Sequence, residues 1–526
     1  METIDITRFL KDISLEEQLI DTELSSSLNE IILDVEQNMK TLKEKRLIFI
    51  NSTATGGGVA EMLPRLMYLI KYFNIDVIWQ VLKTNNQEFF KLTKKIHNFI
   101  HGENPSKVPV EFTELEKKIY EEVNEVNAND LSKFLRPGDI VMVHDPQPCA
   151  LIKYIRRKYS NKEVPCYWRC HIGYDKETPE TKGAWAFLQE YVKMYDLCIF
   201  TAPEYVPNFA PNPRIVTPSL HPLDYKNKFL RHTEIMTILK KAGIIPYNQN
   251  YFNKNDEYQY KATMYDSETK KFVVPNSSER LRNFGLTERP LIMQISRWDK
   301  LKGWSELLDA FLTIKNNLDN PQVMKNEKMK KYCERMCLIM VGPDASKVSD
   351  DPEGAAVLKE LIDKIDKIPD KHSESVALIN LPLEVRYENA LMVNALQRIS
   401  SIIVQNSIKE GFGLTMTEGL WKQIPCIGSS AVGIKYQIID SVNGLVIEDP
   451  CDYKCVASRL LEMISLPEDI REKLTQNAKL HVLKNFLIYK QMLSYLKCAQ
   501  EISTTIQPQK TQLSEFTSDV QMPEAI

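Results

Sequence analysis

The stretch SIKEGFGLTMTE at 407–418 gathers two carboxylates, two glycines and a helix start into one short span. It follows the apolar run SIIVQNS. Gly411 and Gly413 lack Cβ atoms where backbone could approach a ligand closely. The amides of Gly413, Leu414 and Thr415 then fall at a helix N-terminus, where unpaired N–H groups and a partial positive charge attract phosphate. Glu410 and Glu418, eight residues apart, let one carboxylate face a sugar while the other reaches a ribose. Read alone, Glu410 could equally be a surface residue and Glu418 a solvated helix position, because a single Gly-x-Gly is a weak signal. In SRWDKLKG at 296–303, Arg297 offers a forked donor set and Lys302 a compact charge. The pair suits a diphosphate held without a metal cage; a solvated basic turn is the plainer alternative. Gly56, Gly57 and Gly58 follow the first strand-like run. They match neither the dinucleotide fingerprint nor a P-loop, which leaves close ligand approach or a flexible turn. DIVMVHDPQP ends a run with His144 and Asp145, and YWRCHIGYD ends the next with Trp168, Arg169 and His171. One such histidine would suit a core. Two polar clusters at successive strand ends point to a site, because ligands bind beyond the carboxyl ends of parallel strands.

Those ends must be positioned by the apolar runs before them. The first half offers LIFINS at 47–52, IDVIWQVL at 75–82, DIVMVHD at 139–145, VPCYWRCHI at 164–172, LCIFTAP at 197–203 and RIVTPS at 214–219. The second offers PLIMQIS at 290–296, CLIMVG at 337–342, VALINLP at 376–382, SIIVQNS at 401–407 and GLVIED at 444–449. They are near-continuous rather than alternating, as expected of strands buried on both faces. Helical stretches between them imply right-handed βαβ units. The reading is α/β, with two doubly wound, Rossmann-like domains facing each other across a cleft. Residues 1–45 read as a helical segment. A first domain spans 46–286, with an Asn- and Tyr-rich insertion at about 229–286. A second spans 287–466, helices at 467–502 pack back on the first, and 503–526 is a polar, disordered tail.

At 526 residues the chain exceeds what a single core of about 250–300 residues supports. Its 43% apolar and 26% charged content is that of a soluble globular protein, and a net charge of −3 gives no pull toward nucleic acid or an anionic membrane. No run approaches the roughly 20 apolar residues of a membrane span, and the acidic start lacks a signal-peptide core, so a cytoplasmic location is expected. Ten scattered cysteines show no zinc spacing and read as reduced thiols; no metal site is expected.

The motifs resemble those of retaining glycosyltransferase family 4, which has the GT-B fold. Within it the chain is most similar to nucleotide-sugar-dependent trehalose synthases and to trehalose phosphorylases. The resemblance rests on TATGGGVAEMLPRL at 53–66, VHDPQP at 143–148, WRCHI at 168–172, TPSLHPLDYKN at 217–227, QISRWDKLKG at 294–303, DDPEG at 350–354, NALQR at 394–398 and QNSIKEGFGLTMTEGLWKQIP at 405–425. It implies that Arg297 and Lys302 hold the donor phosphates, with Gly413, Leu414 and Thr415, and that Glu418 binds the ribose. Glu410, His171 and Asp145 would stand closest to the chemistry. Gly56, Gly57, Trp168 and Arg169 would shape the sugar pocket.

The implied reaction moves glucose from ADP- or UDP-glucose to a small sugar acceptor, glucose itself, giving trehalose reversibly. No cofactor is implied; magnesium could accompany the nucleotide without being required. A homodimer is compatible with the resemblance. Two other readings stay open: a phosphorylase using inorganic phosphate, and a catalytically silent sugar- or nucleotide-binding protein.

Overall fold

The computed structural model describes residues 1–5, 22–54, 58–247, 257–321, 324–345 and 352–504. The chain divides into two compact units, and each is built on one sheet. The first unit runs to His221 and is rejoined by the chain from Lys484 onward; the second holds Pro222–Leu483.

The first unit's strands are β1 (Glu2–Ile4), β2 (Arg46–Asn51), β3 (Asp76–Val81), β4 (Ile140–His144), β5 (Cys166–Arg169), β6 (Leu197–Phe200) and β7 (Pro213–Ile215). They lie in the order β1-β3-β2-β4-β5-β6-β7. All neighbours are parallel except β1, which pairs antiparallel with β3. Every residue of β4, β5 and β6 is buried, which is why those runs carry no alternation. β2 sits between β3 and β4, so the chain winds outward from it in both directions. The carboxyl ends of β2 and β4 therefore flank the point where strand order reverses.

The second unit adds β8 (Thr263–Asp266), β9 (Lys271–Val273), β10 (Leu291–Ile295), β11 (Cys337–Pro343), β12 (Val376–Leu381), β13 (Ile402–Gln405), β14 (Cys426–Ser429) and β15 (Leu445–Ile447). Their order is β15-β14-β13-β10-β11-β12-β8-β9. The run from β15 to β12 is parallel, and β8 and β9 close one edge as an antiparallel hairpin. Here the reversal falls between β10 and β13. Trp298, Trp304, Phe311, Leu338 and Leu460 belong to the core beneath.

Three expectations are corrected. The opening residues are not all helical, since β1 is an edge strand, although Thr22–Asn38 is a helix. The stretch 229–286 does not belong to the first domain: its described part lies in the second unit, where β8 extends the sheet at β12. The pairing partner decides this, and it lies over a hundred residues away. The short strand β14 was missed because CIGS carries only one large apolar side chain, Ile427. The polar tail from 505 and the 248–256 part of the insertion lie outside the described residues. The ten cysteines are free, and all but Cys451 and Cys455 are buried.

Candidate active site

In the second unit, β10 and β13 are direct parallel neighbours, with Ile292 beside Ile402 and Met293 beside Ile403. Register alone therefore delivers SRWDKLKG and NSIKEGFG side by side. Their backbones are stitched together. The Gln294 amide lies wholly in the core, donating to Lys302 O at 2.8 Å and accepting from Asn406 N at 2.8 Å. Ile408 N donates to Leu301 O at 2.7 Å, and Asn406 Nδ2 to Gly303 O at 3.1 Å. Gly303 has φ +60, and a Cβ there would stand 2.2 Å from Asn406 O. Only glycine permits that approach.

This stitching brings Lys302 Nζ within 2.7 Å of Glu410 Oε2, with both side chains largely buried. Ser407 Oγ donates to the same oxygen at 3.1 Å. Gly413, with φ +82, begins the helix Leu414–Trp421, so the amides of Leu414 and Thr415 open its first turn. A Cβ on Gly413 would come within 3.0 Å of Glu410 Cγ, which ties the glycine to the carboxylate's position. The turn rests on Gln437, whose amide donates to Gly433 O at 3.0 Å and also to Phe412 O.

Arg297 differs from Lys302. Its carbonyl is held by Trp304 Nε1 at 3.1 Å, while its side chain is 62% exposed, 4.0 Å from Asp299. The guanidinium is mostly in solvent, so its removal leaves little buried surface behind. Arg297→Ala is therefore expected to leave the thermal midpoint unchanged and to lower turnover at least tenfold, as checked by calorimetry beside an initial-rate assay.

Glu418 is 6% exposed. It accepts from Gln397 Nε2 at 3.0 Å, and Lys226 Nζ stands 3.8 Å from its other oxygen. Lys422, one helical turn on, is buried against Asn227 Oδ1 at 3.2 Å. Burial pushes its pKa down to about 7 against the upward pull of Glu418. Sequence reasoning missed Gln397 and Lys226. Both lie in segments that carry the family likeness, NALQR and TPSLHPLDYKN, but no spacing rule ties them to Glu418.

In the first unit, β4 and β5 set His144 beside Arg169. Asp145 follows with φ +66, a conformation unusual outside glycine. It is over-determined: Asp145 N donates to Arg169 O at 2.7 Å, its carbonyl accepts from Trp168 Nε1 at 2.9 Å, and its carboxylate accepts from His171 N at 3.0 Å. Burial raises the Asp145 carboxyl to about 6, opposed by the His171 amide and the Arg169 charge. His171 Nε2 meets His144 Nδ1 at 3.0 Å.

Two expected pocket residues are corrected. Trp168 is fully buried, packed among Trp185, Tyr195 and Phe200, so it braces Asp145 from within and lines no pocket. Arg169 is equally buried and donates to Val216 O at 2.6 Å and Thr201 Oγ1 at 3.2 Å. It ties strand ends together. Gly56 and Gly57 lie outside the described residues. Among the described residues no group of His, Cys, Asp and Glu could hold a metal, and no helix is long and apolar enough to cross a membrane.

A linkage effect follows from Asp145. Its folded pKa lies above the ordinary 3.8, so its contribution to stability is fully present below 3.8 and is lost as pH rises through about 6. Asp145→Asn should flatten the denaturant-unfolding free energy between pH 4 and 7 relative to wild type.

Residues 49–207 match the model of the trehalose synthase N-terminal domain, and residues 379–481 match that of glycosyl transferases group 1. The trehalose synthase of Pyrococcus horikoshii is 33% identical over 471 residues, 89% of this chain and 92% of that one. The chain belongs to the trehalose synthase family. It is a glycosyltransferase of the hexosyltransferase class. A trehalose phosphorylase of Pleurotus pulmonarius is 25% identical over 454 residues, 84% of this chain but 55% of that relative. Among solved structures, the trehalose-6-phosphate structure from E. coli bound with UDP-2-fluoro glucose superposes with a TM-score of 0.59 at 14% identity, covering 88% of this chain and 99% of that one. That likeness establishes the α/β two-domain GT-B fold. The trehalose synthase family thus shares its architecture with sequences it barely resembles.

Proposed function

We propose that the chain transfers glucose, with retention, from a nucleoside diphosphate glucose to glucose, forming trehalose reversibly. The observation that carries this reading is the Lys302–Glu410 pair beside the amide end of Leu414–Trp421, at the strand-order reversal of the second sheet. An ammonium has three donors, and Glu410 uses one. The remaining N–H groups, Arg297 and the helix amides suit a leaving diphosphate whose negative charge grows as the glycosidic bond breaks. Glu410 then stands beside the transferred sugar, and Glu418 takes the ribose. In the first unit, His171, whose backbone amide the Asp145 carboxylate holds, is assigned a sugar contact. Those roles fit same-face attack assisted by the leaving phosphate better than a covalent intermediate, since no carboxylate here is set up as an assured nucleophile. The trehalose synthase relatives and the UDP-sugar in the E. coli structure support the donor class.

Glucose supplied with ADP- or UDP-glucose should give trehalose and the free nucleoside diphosphate. Glu410→Gln should lower that turnover at least tenfold in a folded protein. Trehalose cleaved by inorganic phosphate alone would replace this reading with the phosphorylase. Nucleotide binding without turnover of any hexose would leave a silent binding protein.

A further inference from the structure

His144 and His171 meet at a single contact, His144 Nδ1 to His171 Nε2 at 3.0 Å, between rings whose planes differ by 13°. That contact uses one nitrogen of each ring. Two nitrogens at that distance share one proton, so one ring donates and the other accepts. Burial and the neighbouring Arg169 charge both disfavour a second proton on His144, and the same causes act on His171. Each ring is therefore neutral and carries one N–H.

The other end of His144 decides which ring donates. His144 is wholly buried between Phe49 and Tyr495, and its Nε2 has no hydrogen-bond partner among the described residues. If the His144 proton sat on Nε2, an N–H would be orphaned in the core. If it sits on Nδ1, the orphan is only a lone pair. Buried orphan N–H groups are the rarer case, and each costs the full desolvation of a donor.

We infer that His144 fixes the tautomer of His171: His144 Nδ1–H donates to His171 Nε2, which leaves the His171 proton on Nδ1. His171 then meets the sugar as a hydrogen-bond donor and not as a base. The Asp145 carboxylate completes the constraint by accepting the His171 backbone amide, and Thr201 Oγ1 donates to its carbonyl at 3.1 Å. His144 is on this account a positioning residue. The inference rests on the reading above that His171 faces the sugar.

The test is long-range 1H–15N correlation on the full chain labelled with 15N-histidine, eight residues in all, with His171 assigned by its loss in His171→Gln. Protonated Nδ1 and bare Nε2 on His171 are expected. The reverse pattern, or a doubly protonated ring at neutral pH, overturns the inference. Kinetics give a second readout. His144→Phe keeps the ring's bulk but donates nothing, and should lower kcat about tenfold with donor KM within about twofold. His144→Asn can place an amide N–H near the lost Nδ1 and should recover most of that loss. Wild-type kcat in a folded His144→Phe protein would overturn the role. Should His144→Phe not fold, the spectrum of the wild type still decides. The expected tautomer together with full turnover in His171→Gln would leave this inference standing and remove His171 from the sugar site.

Discussion

Lys302→Met is expected to lower turnover about a hundredfold or more, the scale seen when one donor to a developing oxyanion is removed. Two effects act together. The ammonium that would meet the diphosphate is gone, and Glu410 loses its 2.7 Å partner while remaining largely buried. A carboxylate left so is costly, and the neutral Ser407 hydroxyl cannot replace the lost charge. The variant should therefore also be less stable, unlike Arg297→Ala, whose side chain is mostly in solvent. Donor KM, kcat and a thermal scan on both variants separate the cases. Similar melting shifts in the two would mean that the pair does not carry the buried charge as described.

Gly303→Ala should be the most damaging of the conservative changes. The new Cβ would lie 2.2 Å from the Asn406 carbonyl oxygen and 2.5 Å from its Nδ2, in a residue with φ +60. Left-handed strain costs about 1–3 kcal/mol, and a forced backbone shift adds to it. A loss of roughly 3 kcal/mol would lower the second unit's thermal midpoint by about 6–12 °C. Because Gly303 O also accepts from Asn406 Nδ2, the shift would separate Lys302 from Glu410. Turnover at permissive temperature should then fall with it. A variant with unchanged midpoint and rate would contradict the close crossing of the two loops.

The parallel strands were legible because burial on both faces leaves uninterrupted apolar runs, as in LIMQI of β10 and IVMVH of β4. The juxtaposition of SRWDKLKG and NSIKEGFG was legible because each follows an apolar run that reads as a strand of the same parallel sheet. What escaped detection depends on distant pairing. β8 and β9 join the second sheet through β12, and no local pattern announces that partner. Trp168 and Arg169 looked like pocket residues because they fall at a strand end and in the WRCHI segment that carries the family resemblance. In the folded chain the Trp168 indole N–H turns inward to the Asp145 carbonyl, and one Arg169 nitrogen turns inward to Val216 O and Thr201 Oγ1. Gln294, Gln397 and Gln437 were invisible as organisers, since an amide's value lies in which carbonyls it meets.

The chain leaves the first unit after His221 and returns at Lys484, and the two crossing points are joined by hydrogen bonds: Leu220 N to Phe486 O and Ile488 N to Leu220 O, both 2.9 Å. For protein engineering, this makes the second unit an internal cassette with adjacent entry and exit seams. A chimera meant to exchange donor preference should graft the whole block between those seams and keep both flanks from one parent. A two-part splice anywhere in the middle would strip the host of Tyr495 and Gln491, and with them the backing of His144 and Ser219.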